Sequence, residues 1–482
     1  MDRMMQELKK IRARRAIRAF LLLCLSSGFT TPSAMAQTGD FVYGADLSFV
    51  PWQRANGAVW SGFGHEGQPV QQFRDSGWNV VRLRLWHTPD STNWKTWHNL
   101  DSTLNFAHEV VDAGLEWMLD FHYSDTWADP GKQYVPAAWE GLGLETLTDS
   151  LYNYTVDVIS RCRREGILPA YVQIGNEINT GLCWPVGQLY GTGDDVQAWS
   201  NYATLLKAAK QGVIDGVAPL EPPMILIHNS DGGNAAGSEW WIDRLLGRGV
   251  RPDAFGFSFY PWWHGTLDDL RENLNFVAAE YGIPVIVVEA SYPWTLSGAD
   301  DQSNILGSST QLHEGYPADP AGQANFYKDL AQIVREVPEG MGLGVFLWEP
   351  AWISTPNATS GGENLAVYDF SGDALPAILV PQQVSVSDTP RGVLPVSASL
   401  GIPYPSPTNS TASVTVNLAA GGHSKLALYT STGQRVRTIG LPNASGQHRL
   451  EIDLKDQASG IYLLRLLTQD GLSVTRRIVL VR

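Results

Sequence analysis

Tyr171-Val-Gln-Ile-Gly-Asn-Glu-Ile-Asn-Thr-Gly-Leu-Cys-Trp-Pro185 is the stretch that decides the fold. It begins as a short apolar run and then reaches Gly-Asn-Glu at residues 175–177, where a strand would give way to a loop. In a parallel strand covered on both faces, Val172 and Ile174 point one way and Glu177 points the other. Glu177 is therefore predicted to face the inside of a barrel or cleft.

A second stretch has the same form. Ile283-Pro-Val-Ile-Val-Val-Glu-Ala-Ser-Tyr-Pro293 is an apolar strand that ends on Glu289 and an aromatic loop. Each glutamate alone could be a strand-end residue satisfied by a loop, but charged residues are rarely buried without a partner or a task. Two in matched contexts favour one active site, and glycoside hydrolysis uses two carboxyls.

Composition narrows the function classes. The chain has 482 residues, 44% of them hydrophobic, which suffices for more than one domain. A net charge of -15 and a pI near 5.1 argue against a nucleic acid or an anionic membrane as partner. The 18 tryptophans, 17 tyrosines and 15 phenylalanines suit a neutral sugar ligand, although most aromatic residues in any protein are packing.

The first 36 residues predict a secretory signal peptide. A basic region precedes the apolar run Phe20–Leu25, and Ala34-Met35-Ala36 offers a cleavage site. The apolar run is too short for a stable membrane anchor, and no membrane span is expected in the mature form. The bulky Leu23 disfavours a lipoprotein signal at Cys24. The other cysteines, Cys162 and Cys183, lack metal-ligand spacing, and their pairing stays open.

Residues 37–380 alternate short apolar runs with segments of helical period. Eight strands are predicted, at Phe41–Asp46, Asn79–Trp86, Trp117–His122, Tyr171–Glu177, Met224–His228, Ala254–Tyr260, Val285–Glu289 and Gly344–Trp348. Helices are predicted between them, at Leu104–Ala113, Thr148–Glu165, Ala198–Gly216, Leu267–Tyr281 and Ala321–Val337. This alternation predicts an α/β fold, a (β/α)8 TIM barrel, with its chemistry at the carboxyl ends of the strands.

Two arginines on the second strand are predicted to point inward. Alternation places Val81 and Leu83 toward the helices, leaving Arg82 and Arg84 inside, where they need carboxylates. A structural ion pair at the barrel floor suits Arg82, which lies deeper. Arg84, nearer the strand end, is therefore predicted to belong to the site.

The composition shifts near Pro381. Residues 381–400 are rich in Val, Ser and Pro without helical period, which predicts a linker. Residues 401–482 contain short β-like runs separated by Gly, Asn and Asp turns. They predict a small all-β sandwich without catalytic residues.

Six motifs in chain order give the barrel a family resemblance. They are Gly44–Ser48, Val81–Trp86, Asp120–Gln133, Gln173–Trp184, Tyr260–Gly265 and Glu289–Tyr292. Through these motifs, the segment from about residue 40 to residue 380 resembles the endo-β-1,4-galactanases of glycoside hydrolase family 53, a family of retaining enzymes.

The resemblance implies roles for the site residues. Glu177 would be the general acid/base and Glu289 the nucleophile, with Glu289 kept ionised by Arg84 and Tyr260, and the substrate would be pectic galactan or arabinogalactan. Asn176 would contact the sugar 2-hydroxyl. Besides Asn176, the substrate-binding positions would be Asp46, Arg84, His122, His228, Tyr260 and Trp348, although the histidines could be satisfied core residues and the tryptophan a barrel-closing one.

No cofactor is required by this chemistry, but a structural calcium ion is an open question. Bacterial relatives often have Asp, His and Asn at alternate positions in the loop after the nucleophile strand. Here Asp300 and Asn304 match the outer two positions, and Gln302 occupies the position where a histidine is expected. The two outer residues could still bind calcium through oxygen, and a solvated polar loop is the alternative.

A second resemblance covers residues of about 400–482. Tyr404–Pro407, Leu428–Gly433, Ser459–Tyr462 and Thr475–Leu480 resemble the C-terminal sorting domain of the type IX secretion system. This implies secretion or surface display by a Gram-negative bacterium, with the secretion machinery as a partner. The chain is expected to act as a monomer.

Two rival functions remain. Another retaining glycosidase, such as a mannanase or cellulase, would share both glutamates and differ in its aromatic loops. A surface carbohydrate-binding protein without catalysis would have no need of the Glu177 and Glu289 pair.

Overall fold

The computed structural model describes residues 41–385 except 194, together with 399–400, 403, 408–418, 424–430, 435–441, 446–468 and 473–481. The expected signal peptide at 1–36, most of the expected linker and the Tyr404–Pro407 motif lie outside these residues. The chain divides into two compact units between Val384 and Ser385.

Within the first unit, eight parallel strands close into a barrel in sequence order, with β1 paired to β8. They are β1 Val42–Asp46, β2 Val80–Leu85, β3 Glu116–Phe121, β4 Tyr171–Ile174, β5 Met224–Asn229, β6 Ala254–Phe259, β7 Val285–Ala290 and β8 Gly342–Leu347. The predicted TIM barrel is confirmed. Strand β4 ends three residues before Glu177, whereas Glu289 lies inside β7.

Ten α-helices surround these strands in the described residues 41–385. They are α1 Val50–Ala55, α2 Pro69–Asp75, α3 Leu100–Asp112, α4 Leu144–Glu165, α5 Val196–Val217, α6 Ala235–Leu246, α7 Pro261–His264, α8 Leu267–Tyr281, α9 Pro320–Arg335 and α10 Val380–Ser385. All five predicted helices are present with bounds within four residues of the expectation. Helix α10 occupies the start of the segment expected to be a linker. Among the described residues, no helix combines the length and apolar character needed to cross a membrane.

The barrel interior has two layers. An apolar cluster fills the amino-terminal side, formed by Val42, Val80, Met118, Leu226, Ala254, Ile286, Val288 and Phe346. Gly44 makes room for it, because a Cβ atom there would lie 2.0 Å from Cδ1 of Phe346. Buried polar side chains form the layer above, toward the carboxyl ends of the strands. The apolar layer thus supports a polar floor for a site.

Strand alternation agrees with the sequence analysis. Val81, Leu83 and Leu85 belong to the large core between barrel and helices, while Arg82 and Arg84 lie elsewhere and are each 1% exposed. Cys162 and Cys183 are both buried and both free.

The described strands of the second unit form two antiparallel sheets. Strands β9 Ser399–Leu400, β10 Thr411–Leu418 and β13 Gly446–Asp453 form one, in the order β9-β10-β13. Strands β11 Ser424–Thr430, β12 Arg435–Ile439, β14 Gly460–Thr468 and β15 Ser473–Leu480 form the other, in the order β12-β11-β14-β15. Residues from both sheets, among them Val414, Ile452, Leu426 and Leu464, share one apolar core. This is the predicted all-β domain.

Candidate active site

A strained turn after β4 presents Glu177. Gly175 has φ 96°, and a Cβ atom there would lie 2.6 Å from Cγ2 of Ile178, so only glycine fits. Glu177 itself has φ 49°, an uncommon value for a residue with a side chain. Its backbone N–H donates to Nδ1 of His228 at 3.2 Å. This hydrogen bond holds the turn against the buried polar layer of the barrel.

The second carboxyl, Glu289, is 5% exposed and is held at both oxygens. Its Oε1 lies 2.9 Å from Nη1 of Arg82, and its Oε2 accepts a hydrogen bond from the Tyr260 hydroxyl at 2.9 Å. Both partners favour the ionised carboxylate.

The two glutamates line the same cleft at the carboxyl ends of the strands. The cleft encloses about 680 Å³ including its open mouth, and its other lining residues are Trp127, Ala128, Asp129, Asn176, Tyr260, Trp262, Trp263, Ile305, Trp348 and Leu365. Four tryptophans and a tyrosine form much of the wall. Flat apolar rings around two carboxyls suit a neutral sugar chain.

The two carboxyls have different environments. Burial, followed by the nearby Glu289 charge, raises the pKa of Glu177 to about 8. Burial also raises the pKa of Glu289, but the Arg82 guanidinium opposes that rise. One proton shared by the pair therefore belongs on Glu177, which leaves Glu289 as the carboxylate.

Arg82 is the arginine of the site, and the prediction that Arg84 serves Glu289 is wrong. Arg82 bonds Asp46 at 2.8 Å, Asp120 at 2.9 Å and Glu289 at 2.9 Å. It also donates to Oδ1 of Asn176 at 2.8 Å. The deeper position allows it to reach strands on both sides of the barrel axis.

Arg84 instead supports the cleft wall. Its guanidinium bonds Glu349 and lies 4.4 Å from the ring centroid of Phe49 and 4.3 Å from that of Trp127. Trp127 lines the cleft, so Arg84 affects the cleft only by holding this ring in place. Glu349 is absent from the residues predicted from the sequence, although Trp348-Glu349-Pro350 repeats the strand-end glutamate pattern after β8.

A chain of hydrogen bonds links His228 to the carboxyl of Glu177. Burial lowers the pKa of His228 well below its usual value, so the ring is neutral. Because its Nδ1 accepts from the backbone of Glu177, its Nε2 carries the proton and donates to Oγ of Ser258 at 2.9 Å. Ser258 in turn donates to Oε1 of Glu177 at 2.7 Å. His228 therefore positions Glu177 rather than facing the cleft.

Of the other predicted sugar-binding residues, Asn176, Tyr260 and Trp348 line the cleft. Nδ2 of Asn176 donates one hydrogen to the Ala128 carbonyl at 2.8 Å and has a second to offer.

Asp46 and His122 lie in the polar floor and are saturated by protein partners. Asp46 bonds Arg82 and both the amide and the hydroxyl of Ser48. His122 contacts Asp120 through Nε2 at 3.1 Å and accepts from the Ala128 amide through Nδ1 at 3.0 Å. These two residues fix the parts that line the cleft instead of contacting a ligand through those atoms.

The predicted calcium residues, Asp300 and Asn304, lie in one loop, and each lies near Glu363. Oδ1 of Asn304 is buried without a hydrogen-bond partner, and a Cβ atom added at Gly298 would lie 3.7 Å from it and 3.2 Å from Oε1 of Glu363. The hydroxyl of Ser354 lies within hydrogen-bond distance of both Oδ2 of Asp300 and Oε2 of Glu363, and its one hydrogen can be donated to either. Within the described residues no three His, Cys, Asp or Glu side chains converge as a metal site. The oxygens present nevertheless fit calcium in chemical type.

Comparison with known proteins gives two family matches. Residues 42–380 match the glycosyl hydrolase family 53 model, and residues 403–481 match the secretion system C-terminal sorting domain. Such a sorting domain directs type IX secretion to the cell surface or the extracellular space of Gram-negative Bacteroidetes.

Individual relatives cover the same region. An arabinogalactan endo-beta-1,4-galactanase of Cellvibrio japonicus is 35% identical over 363 residues, spanning 72% of this chain and 93% of its own. The solved GH53 catalytic domain of Ignisphaera aggregans is 36% identical with a TM-score of 0.67, covering 72% of this chain and 96% of its own. A solved structure from a study of two fungal beta-1,4-galactanases is 34% identical with a TM-score of 0.61, covering 71% and 99%.

Proposed function

The chain belongs to glycosyl hydrolase family 53 and is a glycoside hydrolase, and on this premise we propose that it is an exported endo-β-1,4-galactanase acting by a retaining mechanism. Its substrate would be β-1,4-galactan or arabinogalactan, as in pectic side chains. The relative from Cellvibrio japonicus, named for that activity, supports this substrate. The C-terminal sorting domain supports export.

The observation that carries the mechanism is the asymmetry of the two carboxyls in one cleft. Glu177, with its pKa raised to about 8, is protonated near neutral pH and can act as an acid. Glu289, bonded by Arg82 and Tyr260, is held as a carboxylate and can attack. A retaining mechanism further requires the two carboxyls to lie roughly 5 Å apart.

The reaction would proceed in two displacements. First, Glu289 attacks the anomeric carbon while Glu177 gives its proton to the departing glycosidic oxygen, which forms a glycosyl–enzyme ester and frees the shortened chain. Glu177, now ionised, then takes a proton from water as that water attacks the ester. Galactan with β configuration at its new reducing end leaves, and both glutamates regain their starting states.

Two neighbours would favour the transition state. The second Nδ2 hydrogen of Asn176 can donate to the sugar 2-hydroxyl, a contact that strengthens as charge develops on the ring. The Tyr260 hydroxyl, bonded to Glu289, keeps the attacking oxygen oriented.

The test is reducing-sugar release from linear β-1,4-galactan by the wild-type enzyme, with mannan, xylan and cellulose as controls. Galactan cleavage alone, with the β anomer appearing first by proton NMR, is expected. Cleavage of another glycan instead would favour a mannanase or cellulase, and first appearance of the α anomer would contradict the nucleophile role of Glu289. Cleavage of none would favour a binding protein.

We also propose that the loop around Asp300 binds a structural calcium ion without a catalytic role. Asp300, Asn304 and Glu363 would supply oxygen ligands. Because the ion binds only the folded state, EDTA should lower the Tm by a few degrees and excess calcium should restore it. Asn304→Ala should abolish this response, whereas Asp301→Asn, an exposed neighbour, should keep it. A Tm indifferent to EDTA and calcium in the wild type would contradict the site.

The enzyme is expected to act as a monomer, which light scattering of the purified protein would test.

A further inference from the structure

An aromatic platform made of Tyr134, Trp184 and Tyr190 lies beside the acid/base glutamate. Tyr190 stacks on Trp184 with ring centroids 6.1 Å apart and planes at 27°, and Tyr134 meets the same tryptophan edge-on at 6.0 Å. The tryptophan is 8% exposed, whereas Tyr134 is 59% exposed and Tyr190 65% exposed. Two tyrosine rings thus stand in solvent around a buried indole.

The platform is built on the same backbone that positions Glu177. Nε2 of Gln133 donates to the carbonyl of Asn176 at 2.8 Å and to that of Glu177 at 3.2 Å. The backbone carbonyl of the same Gln133 accepts from the amide of Trp184 at 2.6 Å. One buried glutamine therefore connects the platform to the turn that carries the acid.

The third ring returns to that turn by a separate route. The chain leaves Glu177, forms a short antiparallel pair between 181–182 and 187–188, and comes back so that the amide of Tyr190 donates to the carbonyl of Thr180 at 3.0 Å. The platform is therefore fixed on the Glu177 side of the cleft. The nucleophile Glu289 is bonded instead to Arg82 and Tyr260.

This placement has a chemical consequence. The acid gives its proton to the glycosidic oxygen of the leaving group. Sugars bound on the Glu177 side of the cleaved bond therefore belong to the departing chain. We propose that Tyr134 and Tyr190, backed by Trp184, form a stacking surface for neutral galactosyl units of the leaving group. The C–H face of a galactosyl ring can pack on exposed tyrosine rings, and the nearby charges of Lys132 and Asp129 are paired with each other at 2.7 Å. This inference rests on the proposed galactanase function.

The test compares two substrates that differ only in the leaving group. One is a linear β-1,4-galacto-oligosaccharide that extends several units past the cleaved bond. The other is an aryl β-1,4-galactobioside, whose leaving group is nitrophenol. Tyr134→Ala with Tyr190→Ala should lower kcat/KM on the oligosaccharide by about tenfold, mainly through KM. The loss on the aryl substrate should stay within about twofold, so the ratio of the two kcat/KM values shifts.

Two controls separate stacking from folding. Tyr134→Phe with Tyr190→Phe keeps both rings and should restore most of the oligosaccharide activity. Trp240→Ala removes a 40% exposed ring on α6, outside the cleft, and should leave the ratio between the substrates unchanged. A Tm measured for each variant reports the fold independently.

Equal losses on both substrates, or no loss on either, would overturn the platform proposal in an enzyme that cleaves galactan. A wild type that leaves galactan intact would overturn the galactanase proposal as well, so the two failures are distinguishable.

Discussion

Arg82 and Arg84 lie two residues apart on β2, each 1% exposed and each bonded to carboxylates, yet they support different parts of the enzyme. Arg82 bonds three carboxylates around the barrel axis, among them Glu289. Arg84 bonds Glu349 and lies against the rings of Phe49 and Trp127. The difference teaches that one step of the strand period, about 6.6 Å, separates the reacting centre from the wall around it.

The largest effect should come from neutralising the carboxylate bonded by each arginine. Glu289→Gln removes the proposed nucleophile and should lower kcat on galactan by about 10³-fold or more. Glu349→Gln removes a carboxylate that has no chemical step to perform and should keep most of kcat while lowering the free energy of unfolding by about 3 kcal/mol, since it leaves Arg84 buried without its anion. Reducing-sugar assays and guanidinium unfolding measure the two quantities. Comparable losses of kcat in the two variants would contradict the distinction between a reacting centre at Arg82 and a supporting wall at Arg84.

Changing the arginines themselves tests the same distinction with a smaller effect. Arg82→Lys keeps the charge but cannot span Asp46, Asp120 and Glu289 together, so kcat should fall by about 100-fold. The pKa of Glu289 should rise as its partner is lost, which moves the acid limb of the pH–rate profile upward.

Arg84→Lys is the matched control. It should raise KM severalfold by loosening Trp127 and lower the Tm, while the acid limb stays in place. A shifted acid limb in Arg84→Lys, with none in Arg82→Lys, would return the nucleophile's partner to the position that the sequence favoured.

The barrel and the positions of both glutamates could be predicted from the sequence, because each depends on a local pattern. Eight apolar runs separated by helical segments predict the fold, and a glutamate at the end of an apolar run predicts a carboxyl facing inward. Glu177 and Glu289 were both found in this way, and Glu349 could have been.

Partners across the barrel were not predictable, because they depend on which layer each side chain reaches. Position along β2 suggested Arg84 for the site, but the rim of the barrel there is occupied by Phe49 and Trp127. The hydrogen-bond chain through Ser258 joins β5 and β6 to the turn after β4, and no local pattern encodes it. The saturation of His122 by Asp120 and Ala128 is equally invisible in the sequence.

A subtler effect concerns the acid side of the cleft. Ser258 donates to Glu177 and so stabilises its ionised form. Ser258→Ala should raise the pKa of Glu177 and move the alkaline limb of the pH–rate profile upward by roughly 0.5 in pH. Ser291→Ala removes another buried hydroxyl, one bonded to the Trp348 carbonyl, and should leave that limb in place. An alkaline limb that moved downward in Ser258→Ala, or moved equally in both variants, would contradict the hydrogen-bond chain.

The last effect links catalysis to stability. The folded pKa of Glu177, about 8, lies above the ordinary value of 4.5, so the native protein holds this proton where the unfolded chain has released it. Between these two pH values Glu177 therefore costs stability, and the cost grows as pH rises until it is complete above pH 8. Glu177→Gln keeps the shape without the charge, so it should equal the wild type in stability near pH 4.5 and exceed it by a margin that grows as the pH rises toward 8. Guanidinium unfolding of both proteins at the two pH values measures this difference. Glu349→Gln is the control: it also neutralises a buried glutamate, but it leaves Arg84 unpaired and should therefore destabilise the fold at pH 8. A gain in Glu177→Gln that did not grow with pH would mean that the acid is not held protonated by its burial beside Glu289.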